Sequence, residues 1–376
     1  MPKLTVGDFI TKFEQFAPKK LAMDGDPIGL AIGSAEQVID KMMVTLDVRP
    51  ETVQEAIDQH VQFIFSHHPP IFRSVKTLTT EDPQTRMYRK LIQHNISVYS
   101  AHTNFDVAIG GMNDLLSDLL ELEDTEILAE TYAEKYKKLA IFTPLNDSEK
   151  MRKALHRVGV GEIGEYKNVS YSLKGLGRFT PTEKADPAIG KSNQPEQIEE
   201  EKIEFLLPQS LTELAIQTIK EVHPYEEPVF DLYSIDHYQK HFGLGRIGNL
   251  KNPVSFEKFV DNLQQVFQVE GVRIVNYEPT RQIQRIAILG GDGGKFYQKA
   301  VEKNADVFIT GDVYYHTAHD MQAANLSVID PGHHIESLAK APLTEKFQQW
   351  AMEEKWELEV ISSQLNTDPF KFILKK

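Results

Sequence analysis

An α/β fold is predicted for this chain: two αβ halves forming a three-layer metal-binding domain, interrupted by an inserted ferredoxin-like (α+β) unit. Three observations predict it. Strand and helix patterns alternate through the first third of the sequence and again through the last third, which reads as parallel sheet. The middle third instead reads β-α-β-β-α-β, the order of a ferredoxin-like unit. Two remote stretches, 63–70 (F-I-F-S-H-H-P-P) and 328–336 (V-I-D-P-G-H-H-I-E), each run from apolar residues into a histidine pair. The resulting boundaries are 1–129, 130–242 and 243–376.

Each element follows from local chemistry. Thr5 and Asp8 form a capping box, and Val6, Phe9, Ile10, Phe13 and Phe16 follow helical spacing behind it. A strand over 41–48 ends at Asp47. Pro50, favoured in a first helical turn, opens a helix to about residue 59. Phe63, Ile64 and Phe65 then read as a buried strand that Pro69 and Pro70 stop. Asp82 and Pro83 begin a helix to about residue 94, and 96–101 is the next strand, with His102 and Asp106 at its end. Gly110 and Gly111 mark a turn before a helix over 112–122.

The character changes near Glu130. Strands are expected at 138–143, 168–180, 202–207 and 229–235, with helices at 146–158 and 210–222. The polar stretch 181–200 carries Pro, Gly and acidic residues without a period and reads as an exposed loop. The αβ pattern resumes after Gly243. Helices are expected at 254–267, 296–304, 314–324 and 336–353, the last with Leu338, Leu343, Phe347 and Trp350 inward. Strands are expected at 285–290, 305–310, 328–330 and 357–361. The two flanking portions share organisation but no close sequence repeat.

Composition excludes several functions. At 376 residues the chain exceeds one ordinary core. No apolar run is long enough to span a bilayer, and the first residues lack a secretory pattern, so a cytoplasmic location is expected. There is no cysteine, which rules out disulfides, thiolate zinc sites and iron–sulfur clusters. Any metal must sit on His, Asp and Glu. A formal net charge of −14 argues against broad nucleic-acid binding.

The candidate ligands are His67, His68, Asp106, His333 and Glu336, all just past strand C-termini, where open parallel sheets bind ligands. Imidazole and carboxylate suit zinc, manganese or iron. Five ligands exceed what one catalytic zinc uses, about three, and suit two metals sharing a carboxylate. Two divalent ions against two carboxylates leave positive charge, which favours an anionic substrate such as a phosphate ester. His333 and Glu336, three residues apart, share one helical face, which selects His333 over His334. A His-His pair on a regular strand points to opposite faces, but the two prolines force an extended exit.

His102 and His316 are candidate proton carriers, with His102 equally a group supporting a ligand. Asp47 and Asp312 occupy matching strand ends, as substrate contacts, as ligand supports or as caps. Residues 290–295 (G-G-D-G-G-K) follow a strand and open a helix, so they form either a tight turn or an anion cradle; they match neither a P-loop nor G-x-G-x-x-G. Residues 223–228 (H-P-Y-E-E-P) read as a structural turn or a subunit-packing surface.

Several of these motifs carry a family resemblance. S-H-H-P-P at 66–70, S-A-H-T-N-F-D at 100–106, G-D-V-Y-Y-H at 311–316, D-P-G-H-H-I-E at 330–336 and N-T-D-P-F at 366–370 resemble the GTP cyclohydrolase 1 type 2 homologue family, also called Nif-three-like. H-P-Y-E-E-P at 223–228 and G-R-F-T-P at 177–181 resemble the insert of its longer bacterial members. The resemblance implies a dinuclear site on His67, His68, Asp106, His333 and Glu336. It also implies a homohexamer built from dimers, with the insert similar to PII and CutA proteins. Its name implies hydrolytic opening of the guanine ring of GTP.

Two functions follow as expectations. The first is a metal-dependent hydrolase acting on a nucleotide or other phosphorylated compound, with two divalent ions per chain, zinc foremost. The second is a non-catalytic metal-loaded regulatory or scaffold ring whose insert senses a small ligand. Self-association and a small anionic ligand are the expected partners. A membrane is not, and nucleic acid is the weakest option.

Overall fold

In a computed structural model, residues 3–373 are described. They form a mixed α/β fold with two sheets, and the chain divides into two compact units. One unit comprises residues up to Tyr132 together with those from Phe242 onward; the other is Ala133–His241. The strands, in chain order, are β1 (Gly29–Ile32), β2 (Lys41–Thr45), β3 (Phe63–Ser66), β4 (Ser97–Ser100), β5 (Glu123–Pro144), β6 (Tyr171–Phe179) and β7 (Glu196–Pro208). They continue with β8 (Phe230–Ser255), β9 (Arg273–Val275), β10 (Gln282–Ile288), β11 (Val307–Ile309), β12 (Ser327–Asp330) and β13 (Glu359–Ser362).

The larger unit has a doubled organisation. Its first sheet runs β1-β4-β3-β2-β13, with β2, β3, β4 and β13 parallel and β1 antiparallel at the edge. Its second arrangement runs β8-β10-β11-β12-β9, in which β10, β11 and β12 are parallel and β9 is the antiparallel edge. Three consecutive parallel strands flanked by a reversed edge strand thus occur twice. Both reversed strands are short, and their residues carry no alternation long enough to read beforehand.

The first sheet is buried on both faces, which explains its unbroken apolar strands. Phe63 and Phe65 join one core cluster with Phe9, Phe13, Tyr99 and Phe347, while Ile64 joins the other with Met43, Val53, Leu91 and Val98. Helix Val6–Phe16 supplies Phe9 and Phe13 to the first cluster, and its Thr5–Asp8 capping box is formed. Phe13 meets Phe65 edge-on at 4.7 Å and Phe9 meets Phe347 at 5.0 Å. Each such buried ring contributes roughly 1.5–3 kcal/mol, so the sheet that carries the first histidine pair is held firmly.

Three local expectations need correction. The helix expected from Glu336 begins as a 3-10 turn over His333–Ala339 and becomes α-helical only at Lys340–Glu354. The segment holding Asp106 is a five-residue helix, Thr103–Val107, too short to show a period. In the smaller unit, β7 begins at Glu196, within the stretch expected to be loop. Its residues alternate in exposure and pair with β6. The acidic run hid a solvent-facing strand.

The smaller unit, taken by itself, has the element order β5, helix Ser148–Arg157, β6, β7, helix Thr212–Val222, β8, with sheet order β6-β7-β5-β8. Leu139, Ile141, Ile203, Phe205 and Leu207 pack with Met151, Leu155, Ala215 and Ile219 from the two helices. His223 ends the second helix and is buried. Its Nε2–H donates to the Phe142 carbonyl (2.9 Å), and its Nδ1 accepts from the Tyr225 N–H (3.1 Å). That accounts for the H-P-Y-E-E-P segment as a structural turn.

Candidate metal centre

The histidine pair leaves β3 immediately after Ser66, so strand alternation ends there. The backbone N–H groups of His67 and His68 still donate to the carbonyls of Thr45 and Leu46, at the end of the neighbouring strand β2. Beyond them the chain is free to bring both rings to one side, with centroids 5.0 Å apart. Asp106 arrives from the short helix after β4. His333 and Glu336 arrive from the 3-10 turn after β12, where residues three apart stand one above the other.

The five side chains meet. His67 Nε2 lies 3.5 Å from Asp106 Oδ1 and 3.6 Å from Glu336 Oε2. His68 Nε2 lies 3.0 Å, and His333 Nε2 3.2 Å, from that same Glu336 oxygen. Two ligand triads result: His67, Asp106 and Glu336, and His68, His333 and Glu336. They share the Glu336 carboxylate. His102 groups with His67 and His68 in a third triad.

The outward nitrogens fix the inward ones. His67 Nδ1 donates to the Ala101 carbonyl at 2.8 Å. His68 Nδ1 donates to Asp47 at 2.8 Å and His333 Nδ1 to Asp312 at 2.7 Å. Each ring is therefore held with its Nε2 toward the cluster, the orientation metal-bound imidazoles adopt. A carbonyl cannot donate, so His67 Nδ1 carries a proton, and its Nε2 faces two carboxylates. His67 Nε2 and Asp106 Oδ1 are buried with no hydrogen-bond partner. Burying polar atoms without partners is costly, and a cation between them would satisfy both. The donor set, all imidazole and carboxylate, fits a divalent metal such as zinc, manganese or iron.

Titration of the cluster follows from the same contacts. Burial pushes the Asp106 carboxyl up to about 6, with His67 opposing and Glu336 adding repulsion. Burial also disfavours the Glu336 charge, but the surrounding imidazoles outweigh it and hold that carboxyl well below its usual range. Burial works against protonating His68 and His333. Their carboxylate partners prevail and raise them to about 9 and about 10.

Supporting residues complete the site. Asn113, buried, donates to the Asp106 carbonyl (2.9 Å) and accepts from the Gly290 N–H (3.0 Å), joining the two ligand-bearing regions. A Cβ on Gly291 would stand 2.7 Å from Glu336 Oε1, and its φ is +62°. The glycine-rich turn thus makes room for the Glu336 carboxylate. Lys295 is exposed and its Nζ lies 5.2 Å from the Phe296 ring, so the tight-turn reading of 290–295 has the support.

His102 hydrogen-bonds Asp26 through Nδ1 (2.9 Å). Asp26 also accepts from the Thr103 N–H and hydroxyl. Asp26 gave no signal beyond a turn-rich D-G-D-P run, so sequence reasoning missed it. His316 is not brought to the cluster. It is exposed on helix Tyr315–Ala323, its ring 5.4 Å from Tyr315. His334 belongs to none of the triads.

A cavity of about 810 Å³ opens over the site, lined by His68, His102, His333, Asp47, Asp312 and the rim cations Arg49, Arg273 and Lys371. Phe72 and Phe370, both exposed, add apolar surface to its mouth. Among the described residues no helix is long and apolar enough to cross a membrane.

Comparison with known proteins places these features in context. Residues 4–369 match the family described as Duf34/NIF3 (NGG1p interacting factor 3). A Listeria innocua protein named GTP cyclohydrolase 1 type 2 homolog is 45% identical over 97% of this chain and 98% of its own length. A Bacillus subtilis protein of the same name is 42% identical over 97% of each chain. Among solved structures, a Bacillus cereus protein related to NIF3 superposes with a TM-score of 0.90 at 39% identity, covering 99% of this chain and all of that one.

Proposed function

The chain belongs to the Duf34/NIF3 family, and from that premise we propose that it is a dinuclear divalent-metal hydrolase acting on a nucleotide or related phosphorylated compound. The carrying observation is the Glu336 carboxylate, which is shared by two triads of otherwise separate ligands. His67, Asp106 and Glu336 would hold one ion, and His68, His333 and Glu336 the other. Such ions supply Lewis acidity and activate water near neutral pH.

The chain's own groups do the rest. Asp47, Asp312 and the Ala101 carbonyl aim the three rings. His102, with Nδ1 bound to Asp26, lines the cavity and is placed to hold or pass a proton. Arg49 at the rim offers positive charge to an anionic substrate, while Arg273 there is paired with Asp330. The mouth's exposed Phe72 and Phe370 suit the flat ring of a base.

The assembly belongs to the same reading. We take the larger unit as a three-layer domain and the insert as ferredoxin-like. The sheet order β6-β7-β5-β8, with both helices packed on one core, supports the latter. We take the assembly as a homohexamer, by family resemblance; light scattering measures it.

The test is turnover with metal content measured in the same preparation. Protein carrying about two zinc or manganese ions per chain should hydrolyse GTP or another member of a nucleotide and phosphoester panel, and His68→Ala should abolish it. Full metal loading without turnover across that panel would replace this reading with the non-catalytic regulatory one.

A further inference from the structure

One wall of the cavity comes from the end of the chain. After β13 the backbone passes along the cavity mouth, where Thr367, Asp368, Phe370 and Phe372 line it. This segment is pinned. Lys340 Nζ donates to the carbonyls of Ser363 (3.0 Å) and Leu365 (3.1 Å). The Ser363 hydroxyl and the Gln364 N–H both donate to Glu55. Two turns follow, the Asp368 N–H to Asn366 Oδ1 (2.8 Å) and the Phe370 N–H to Asp368 Oδ1 (2.9 Å). The Phe372 ring lies over Gly271, so close that a Cβ there would touch it at 3.4 Å. Thr367 sits in the middle of this anchored run.

Its hydroxyl donates to Asp47 Oδ2. Asp47 Oδ1 is the acceptor for His68 Nδ1–H at 2.8 Å. Asp47 is thus held at both oxygens. A carboxylate held at one oxygen turns easily, because its terminal torsion is broad and roughly two-fold; a second donor removes that freedom. The matching carboxylate behind His333 lacks this restraint: among the described residues, Asp312 has His333 as its one hydrogen-bond partner. It is also more open, with 39% of its side chain exposed against 17% for Asp47.

We infer that Thr367 is a positioning residue for the metal position on His68 and His333, acting through Asp47 to fix the His68 ring. This rests on the reading that the cluster holds two divalent ions. Groups behind ligating histidines typically change metal affinity by roughly 10–100-fold when removed. The effect should be confined to one of the two positions, because His67 is oriented by the Ala101 carbonyl instead.

The test uses full-length metal-stripped protein titrated with Zn²⁺ against a competing chelator, and with Mn²⁺ followed by electron paramagnetic resonance. Thr367→Val keeps the shape and removes the donor. It should weaken one of two ions by about 10-fold or more, leave the other unchanged, and turn a coupled Mn²⁺ pair signal into that of single ions at sub-saturating metal. Thr367→Ser should restore wild-type behaviour. In an Asp47→Ala background the Thr367→Val effect should vanish.

Several results would overturn the inference. These are unchanged binding of both ions in Thr367→Val, equal weakening of both, failure of Thr367→Ser to rescue, or persistence of the effect without Asp47. If wild type itself binds fewer than two ions, the dinuclear reading falls and this inference with it. If wild type binds two and Thr367→Val binds both with unchanged affinity, only the inference falls. Should Thr367→Val not fold, Thr367→Ala is read in the same way.

Discussion

The two ligand triads differ in how they meet solvent. His67 and Glu336 have side chains 3% exposed, and none of His67, Asp106 and Glu336 lines the cavity. His68 and His333 do line it, and the His333 side chain is 36% exposed. One position is therefore part of the core and the other is part of the cavity wall. On the proposed reading, the chemistry of a substrate belongs at the second. The first carries the unpartnered buried atoms, His67 Nε2 and Asp106 Oδ1.

The largest disturbance to that contrast should come from Glu336→Ala, which removes the group both triads share. Metal content should fall from about two ions per chain to near zero by elemental analysis. Retention of one tightly held ion would break the idea of a shared carboxylate.

His67→Ala and His333→Ala should then separate the triads. Each should lose one ion. His67→Ala should also lower the stability of the metal-free protein by about 2–4 kcal/mol, since it leaves a cavity and an unpaired carbonyl at Ala101. His333→Ala should cost most at and below neutral pH, where Glu336 and Asp312 hold its imidazole charged, and less as pH rises through about 10. Urea unfolding of both variants decides this.

The pH dependence sharpens the comparison further. In metal-free protein His68 and His333 are raised from their ordinary 6.5 to about 9 and about 10. A raised imidazole stabilises the fold fully below 6.5 and loses that contribution as pH climbs through the folded value. The melting temperature of stripped protein should therefore decline between neutral pH and pH 10, and His333→Ala should flatten the decline. Metal affinity should run the other way and rise with pH, because ligands must shed protons to bind. Stripped and loaded protein should diverge as pH increases.

The smallest effect on metal content is expected from Gly291→Ala. A φ of +62° and a Cβ 2.7 Å from Glu336 Oε1 should cost about 1–2 kcal/mol and weaken both ions modestly. Loss at the outer position alone would show that the turn serves one triad only.

Much of this was legible in the sequence because burial leaves strong traces. Phe63, Ile64 and Phe65 announced a strand covered on both faces, and Thr5 with Asp8 announced a helix start. The convergence of the candidate ligands His67, His68, Asp106, His333 and Glu336 was readable because all of them follow strand signals. What was hidden lacked period or length. The edge strands β1 and β9 are four and three residues long. The acidic start of β7 reads as loop because its charges face water. Asp26 and Thr367 gave no local signal, since their roles arise only from what folding places opposite them.

The ligands span the chain. His68 and Glu336 are 268 residues apart, and β13, from the last stretch, closes the first sheet beside β2. During synthesis, the amino-terminal sheet waits with Lys41–Val44 as an unmatched edge until nearly the whole polypeptide has emerged. Any metal held by both parts would enter late, on a finished molecule, and a chain cut short before residue 359 forfeits both a sheet neighbour and the tail that carries Thr367.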